Sequence, residues 1–160
     1  MVHVGIRLVF RRRPSKIVDM AMTLEQFGKS LVTVGLTTPD ELRALWKELP
    51  PQERPRDGEQ FAKLLCAREK LTEYQAQIVL QGKAAALSFG NYVLQLQLGM
   101  GASGAVFRAR HKTSGRLVAI KVLAAAAAKD EKAVKRFYRE MQATAQLSHP
   151  NIVRAVDAGE

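Results

Sequence analysis

Three glycines at G-x-G-x-x-G spacing, Gly99, Gly101 and Gly104, are followed by β-branched and aromatic residues rather than by a helical pattern. A glycine inside a regular element costs about 1 kcal/mol in backbone entropy, so three so close together demand a reason. The usual reason is close approach of bare backbone N–H groups to phosphate oxygens. A dinucleotide fold would place a helix straight after Gly104. A Walker-type loop would place Lys and Ser or Thr there, where Ala105 and Val106 stand. Val106-Phe107-Arg108-Ala109-Arg110, a polar turn through Lys112, Thr113, Ser114 and Gly115, and the run Leu117 to Leu123 read instead as strand, turn, strand. The glycines therefore fall in the turn of an antiparallel hairpin.

Alternation in the last of these strands sets Leu117, Ala119 and Lys121 on one face and Val118, Ile120 and Val122 on the other. A lysine in an otherwise apolar strand is expensive to bury unless an anion meets it. From the residues alone, Lys121 either meets such an anion or snorkels to water from an edge strand.

The order GMGASGAV, VAIK, a charged helix with Arg139-Glu140, then His149-Pro150-Asn151-Ile152-Val153 resembles the N-terminal lobe of a eukaryotic-like Ser/Thr protein kinase of the bacterial branch. The likeness covers about residues 90–160. It implies that Leu98 and Val106 cover the adenine of ATP from one side and Ala119 from the other. Gly99, Met100, Gly101, Ala102, Ser103, Gly104 and Ala105 would form the loop over the phosphates. Lys121 would hold the α- and β-phosphates while paired with Glu140 of the αC helix. Without the resemblance, Glu140 reads equally as a surface glutamate paired with Arg136 or Arg139, and Ser103 as a phosphate donor or merely a small residue.

The resemblance further implies ATP as cofactor, Mg2+ only in a full-length family member, and a protein Ser/Thr substrate in that full-length form. Phosphoryl transfer needs a group to orient the attacking hydroxyl, and ligands for magnesium. The sequence contains neither His-Arg-Asp nor Asp-Phe-Gly, so no catalytic residue and no metal ligand is expected in it. The expectation is a truncated kinase domain that is inactive alone and binds ATP weakly. Two alternatives are a non-catalytic regulator docking through its helices and lobe, and an ATP-binding pseudokinase fragment.

The rest of the chain bounds these readings. No apolar run approaches the ~18 residues needed to span a bilayer, and with one cysteine, Cys66, no intrachain disulfide can form. A reducing cytoplasm fits. The net charge of +10 is divided unevenly: residues 1–22 carry five basic and one acidic side chain, 23–90 nine of each, and 91–160 eleven and five. A nucleic-acid binder would gather that charge on one helix face or interleave it with aromatics. Here it is scattered, so neither a nucleic-acid partner nor a membrane span is expected.

Residues 1–22 show no sustained period and read as a disordered basic extension. From 23 to 80 the sequence predicts four short helices, each with a start signal: Thr23 with Gln26, Thr38-Pro39-Asp40-Glu41, Asp57 with Gln60, and Thr72 with Gln75. Apolar stripes such as Leu42, Leu45, Trp46 and Leu49 follow the caps at helical spacing. This module carries no cluster of ligating residues; it packs, or it offers a docking surface. Residues 81–90 read as a linker, with Gly90-Asn91 turning into a first strand that should expose Gln95 and Gln97. The alanines from 124 to 128 suggest a loosely held turn. Asp130 should cap the next helix, His149-Pro150 should follow its end, and Ile152 to Val156 should form a strand. The expected architecture is α+β: a small helical N-terminal module (23–80), a linker (81–90), then an antiparallel sheet with one αC-type helix (91–160), a partial kinase lobe.

Overall fold

The computed structural model describes residues 3–6, 22–101, 104–124 and 127–147. The chain divides into a helical unit, Pro14–Gln95, and a sheet unit made of Met1–Arg13 and Leu96–Glu160.

Four helices build the first unit: α1 (Leu24–Val34), α2 (Pro39–Glu48), α3 (Gly58–Ala67) and α4 (Glu73–Leu80). Their starts follow from local chemistry. Thr23, Thr38 and Thr72 each accept the backbone N–H three residues on, and Gln26, Glu41 and Gln75 reach back to complete the box. Asp57 caps α3 by accepting from the Gln60 N–H at 2.8 Å. Such caps are worth about 1 kcal/mol each, which matters for helices too short to persist alone. The proline-rich stretch after α2 ends it and leaves a single 3-10 turn at Pro51–Glu53.

Phe27 and Leu31 of α1 are fully buried, as is Val79 of α4. Phe27 meets Phe61 of α3 edge to face, centroids 5.9 Å apart. Helix α2 is held less deeply. Leu42, Leu45 and Trp46 stay half-buried, and only Leu49 just beyond its end is enclosed. Cys66 on α3 is half-buried, and burial pushes its thiol above the ordinary value.

Residues 81–90 are not the bare linker expected. They form a 3-10 turn, Ala84–Leu87, packed against α1 and α4, and strand β2 (Ser88–Phe89). Leu87 is wholly buried, so small flanking residues hid a core position. Gly90, in the left-handed region at φ 51°, turns the chain into β3 (Tyr92–Gly101), where Ser88 pairs with Val93 and Phe89 with Tyr92.

In the sheet unit β3 is followed by β4 (Gly104–His111) and β5 (Leu117–Leu123). The two-residue connection from β3 to β4 permits only an antiparallel hairpin, and β4 pairs antiparallel with β5 from Gly104↔Leu123 to Arg110↔Leu117. On β5, Val118 and Ile120 are buried and Leu117 is exposed, the alternation expected. At the strand's end Leu123 rather than Val122 is enclosed, because it packs against Ala128 and Phe137. On β3 the expectation needs correction: from Leu96 onward the leucines are exposed along with Gln97.

A second departure lies at His3–Ile6, read in the sequence as part of a disordered extension. It is a strand, β1, parallel to β5 with Val4 opposite Ala119, so the described strand order is β1-β5-β4-β3-β2. An edge strand such as β5 presents unpaired N–H and C=O groups, and a short β-branched segment suffices to meet them. The remainder of the extension, Ala102 and Ser103, and the expected elements at His149-Pro150 and Ile152 to Val156 lie outside the described residues.

After β5 the alanine stretch ends in a 3-10 turn, Ala127–Lys129, with Ala128 buried. Helix α5 (Glu131–Ala145) follows, its first turn capped by Asp130, which accepts from the Lys132 N–H at 2.9 Å.

Candidate functional site

The three glycines are of two kinds. Gly104 is required by the fold: its φ is +139°, and a Cβ there would lie 2.0 Å from the Val122 carbonyl oxygen. The β4–β5 ladder would have to open to admit any side chain. At Gly99 and Gly101 a Cβ would meet nothing within 4 Å. Neither has a positive φ, so among the described residues neither conformation nor crowding calls for glycine. What they leave is bare, outward-facing backbone beside Leu98 and Met100, which are 55% and 80% exposed.

Cross-strand register assembles the neighbouring face. Val106 stands opposite Lys121, and Arg108 opposite Ala119. Paired residues share a face, as do residues two apart, so Val106, Ala119 and Lys121 lie together on one side of the sheet. Val106 and Ala119 are half-buried. Ala105 pairs with Val122 on the opposite side, so only its backbone serves the loop.

Helix α5 supplies the counter-charge. Phe137 is its one buried side chain, packed with Leu123 and Ala128, and this fixes which way the helix faces. Glu140, three residues on, lies over the same flank. Its Oε2 accepts from the Lys121 ammonium at 3.2 Å. Among the described residues Glu140 forms no ion pair with Arg136 or Arg139. The Lys121 side chain is 27% exposed and its Nζ stands 5.6 Å from the Phe137 ring centroid, a cation–π contact. Its three-residue spacing from Glu140 is the sequence signal that sets Phe137 under the lysine. An open depression of about 250 Å³ runs beside this group, between Lys121 and Asp130.

The arrangement is thus a hairpin bearing exposed glycines, an apolar pair of Val106 and Ala119 on one face of the sheet, and one ammonium held in place by a carboxylate and a ring. Among the described residues no group of three or more His, Cys, Asp or Glu side chains could hold a metal ion, and no helix is long and apolar enough to cross a membrane.

Comparison with known proteins supplies the lineage. Residues 92–160 match the protein kinase domain family. The Ser/Thr-protein kinase pkn3 of Myxococcus xanthus is 39% identical over 69 residues, 43% of this chain and 13% of that protein. The probable Ser/Thr-protein kinase PknB of Bifidobacterium longum is 41% identical over 75 residues, covering 47% and 11%. The Ser/Thr-protein kinase PknF of Mycobacterium tuberculosis is 42% identical over 73 residues, covering 46% and 15%. The chain therefore spans 11–15% of the length of these relatives. Residues 92–160 match the protein kinase domain family, and over that stretch the chain is similar to bacterial Ser/Thr-protein kinases.

Proposed function

We propose that residues 92–160 form the nucleotide-holding part of a Ser/Thr protein kinase, whose activity is transfer of a phosphoryl group from ATP to a protein hydroxyl. In this reading Leu98, Val106 and Ala119 line the adenine. The backbone from Gly99 to Ala105 covers the phosphates, and Lys121, oriented by Glu140, neutralises charge on the α- and β-phosphates. One observation carries it: the free space where Gly99 and Gly101 would bear a Cβ, on the same hairpin as a lysine fixed by an ion pair. Backbone left bare without any need of the fold suits a ligand that must approach N–H groups closely.

Phosphoryl transfer is catalysed mostly by positioning and by electrostatic stabilisation, and the described residues offer parts of both. The glycine turn brings N–H donors to anionic oxygens, and Lys121 brings a charge that Glu140 and Phe137 keep from wandering. When bound, ATP supplies the reactive γ-phosphoryl group.

Calorimetric titration of the chain with ATP tests the reading. The expected result is saturable binding that weakens at least about tenfold in Lys121→Met and in Gly101→Val, each variant unfolding at the same denaturant midpoint as the parent. Equal ATP binding by the parent and both variants would overturn it.

A further inference from the structure

Residues 74–129 contain no aspartate or glutamate, yet they carry seven lysines and arginines. Five of these, Arg108, Arg110, Lys112, Arg116 and Lys121, lie on the β4–β5 hairpin. Along the sequence this charge looks scattered; cross-strand register gathers part of it. Arg108 stands opposite Ala119 and Arg110 opposite Leu117. Both arginines therefore share one face of β4, two residues or about 7 Å apart. Both are exposed, and Leu117 beside Arg110 is 41% exposed. Lys112 and Arg116 are exposed at the closed end of the hairpin.

Several exposed cations elsewhere have an acid beside them. Arg43 meets Asp40 at 2.9 Å, Lys63 meets Glu59 at 2.8 Å and Lys135 meets Glu131 at 3.3 Å. Among the described residues Arg108, Arg110 and Arg116 form no ion pair. The described carboxylates of the sheet unit are already engaged: Asp130 caps α5, Glu131 holds Lys135 and Glu140 holds Lys121. Like charges side by side on a strand do nothing for its stability, so this face is suited to an anion from outside.

The spacing favours a peptide. In an extended chain alternate side chains fall on one side, at the separation of Arg108 and Arg110. Carboxylates at i and i+2 would each meet a guanidinium, which holds a carboxylate through two parallel N–H donors. Leu117 adds an apolar contact next to them. Single-stranded nucleic acid is bound by stacking on exposed aromatics, whereas Phe107 of this strand is half-buried and faces the other side with Ile120. A membrane surface is held by an apolar face sunk among the headgroups, whereas the hairpin's end offers Lys112, Thr113, Ser114 and Gly115.

We propose that the Arg108–Arg110 face of the β4–β5 hairpin is a docking surface for an extended, Asp/Glu-rich segment of a partner protein. It lies within the sheet unit alone, and the nucleotide reading is not needed for it.

Fluorescence anisotropy of the whole chain without nucleotide tests this. The probe is a labelled peptide carrying glutamate at alternate positions. A peptide of the same composition with its glutamates contiguous, a single-stranded oligonucleotide and vesicles containing phosphatidylserine are compared with it. The expected result is saturable binding, weakened at least about tenfold in the double variant Arg108→Gln/Arg110→Gln. The double variant Lys132→Gln/Arg139→Gln removes equal charge from exposed positions of α5 and should bind as the parent does. Because both hairpin arginines are exposed, the urea midpoint of their double variant should match the parent's. Should that midpoint fall, Arg108→Lys/Arg110→Lys carries the same comparison, keeping the charge but losing the paired donors, and should still bind more weakly than the parent. No binding of the alternating peptide, equal weakening in the two glutamine double variants, or tighter binding of the contiguous peptide, the oligonucleotide or the vesicles overturns the proposal.

Discussion

The helical unit and the sheet unit treat apolar side chains in opposite ways. In the first, Phe27, Leu31, Leu49, Val79 and Leu87 are essentially sealed from water. All the large apolar side chains found exposed among the described residues, Leu96, Leu98, Met100, Leu117 and Leu147, belong to the second. Burial at about 25 cal/mol per Å² gives a fold every reason to cover such groups. On the proposed reading, the uncovered Leu96, Leu98 and Met100 beside the glycines are left for a ligand. The helical unit covers its large apolar side chains, while the sheet unit buries Val118, Ile120, Leu123 and Phe137 and leaves others in water.

The sharpest way to break that contrast is substitution on each side. Phe27→Ala should cost about 4 kcal/mol of the helical unit's stability, read as a lowered urea midpoint of its helical circular dichroism. Leu98→Ala should change stability by less than about 0.5 kcal/mol while weakening ATP binding; a large loss of stability would make Leu98 a core residue after all. Among the glycines, Gly104→Ala should cost about 3 kcal/mol, since it combines a forbidden φ with a backbone collision. Gly101→Ala should leave the unfolding midpoint in place. If both behaved alike, the division into fold-required and ligand-facing glycines would fail.

Smaller effects sharpen the picture at the helix starts. Thr38→Ala should destabilise α2 by about 1 kcal/mol. The Thr38 backbone N–H and the Thr37 hydroxyl hold the Glu41 carboxyl below its ordinary value of 4.5. Because the folded value is the lower one, those bonds stabilise α2 fully above about pH 4.5 and are lost as pH falls through the folded value. Acid titration followed by circular dichroism should show α2 fraying there, and Glu41→Gln should abolish that pH dependence.

How far the sequence anticipates the molecule depends on the range of the interactions concerned. Thr23, Thr38, Asp57, Thr72 and Asp130 announce their helices because a cap is satisfied within three residues. Val118 and Ile120 announce their face because a strand alternates strictly. Strand β1 gave no such signal: four residues have no period, and their pairing is made with β5, more than a hundred positions away. Leu87 was hidden among small neighbours for the same reason, since its burial depends on α1 and α4. Lys121 and Glu140 could be suspected from the order of motifs, and the structure sets them 3.2 Å apart. The hydrogen bonds that the Thr72 hydroxyl and Gln75 Nε2 donate to the Gln95 and Leu94 carbonyls could not be suspected, because a capping box looks the same in sequence whether its spare hydrogens meet water or a strand.

The solitary thiol on α3 gives the helical unit a built-in reporter. Half-covered and with its proton held more tightly than usual, Cys66 should react sluggishly with an alkylating dye while the helices stay closed, and quickly once they part. With no other cysteine in the chain to confuse the signal, labelling kinetics alone would time the opening of that unit, with no need to engineer a probe.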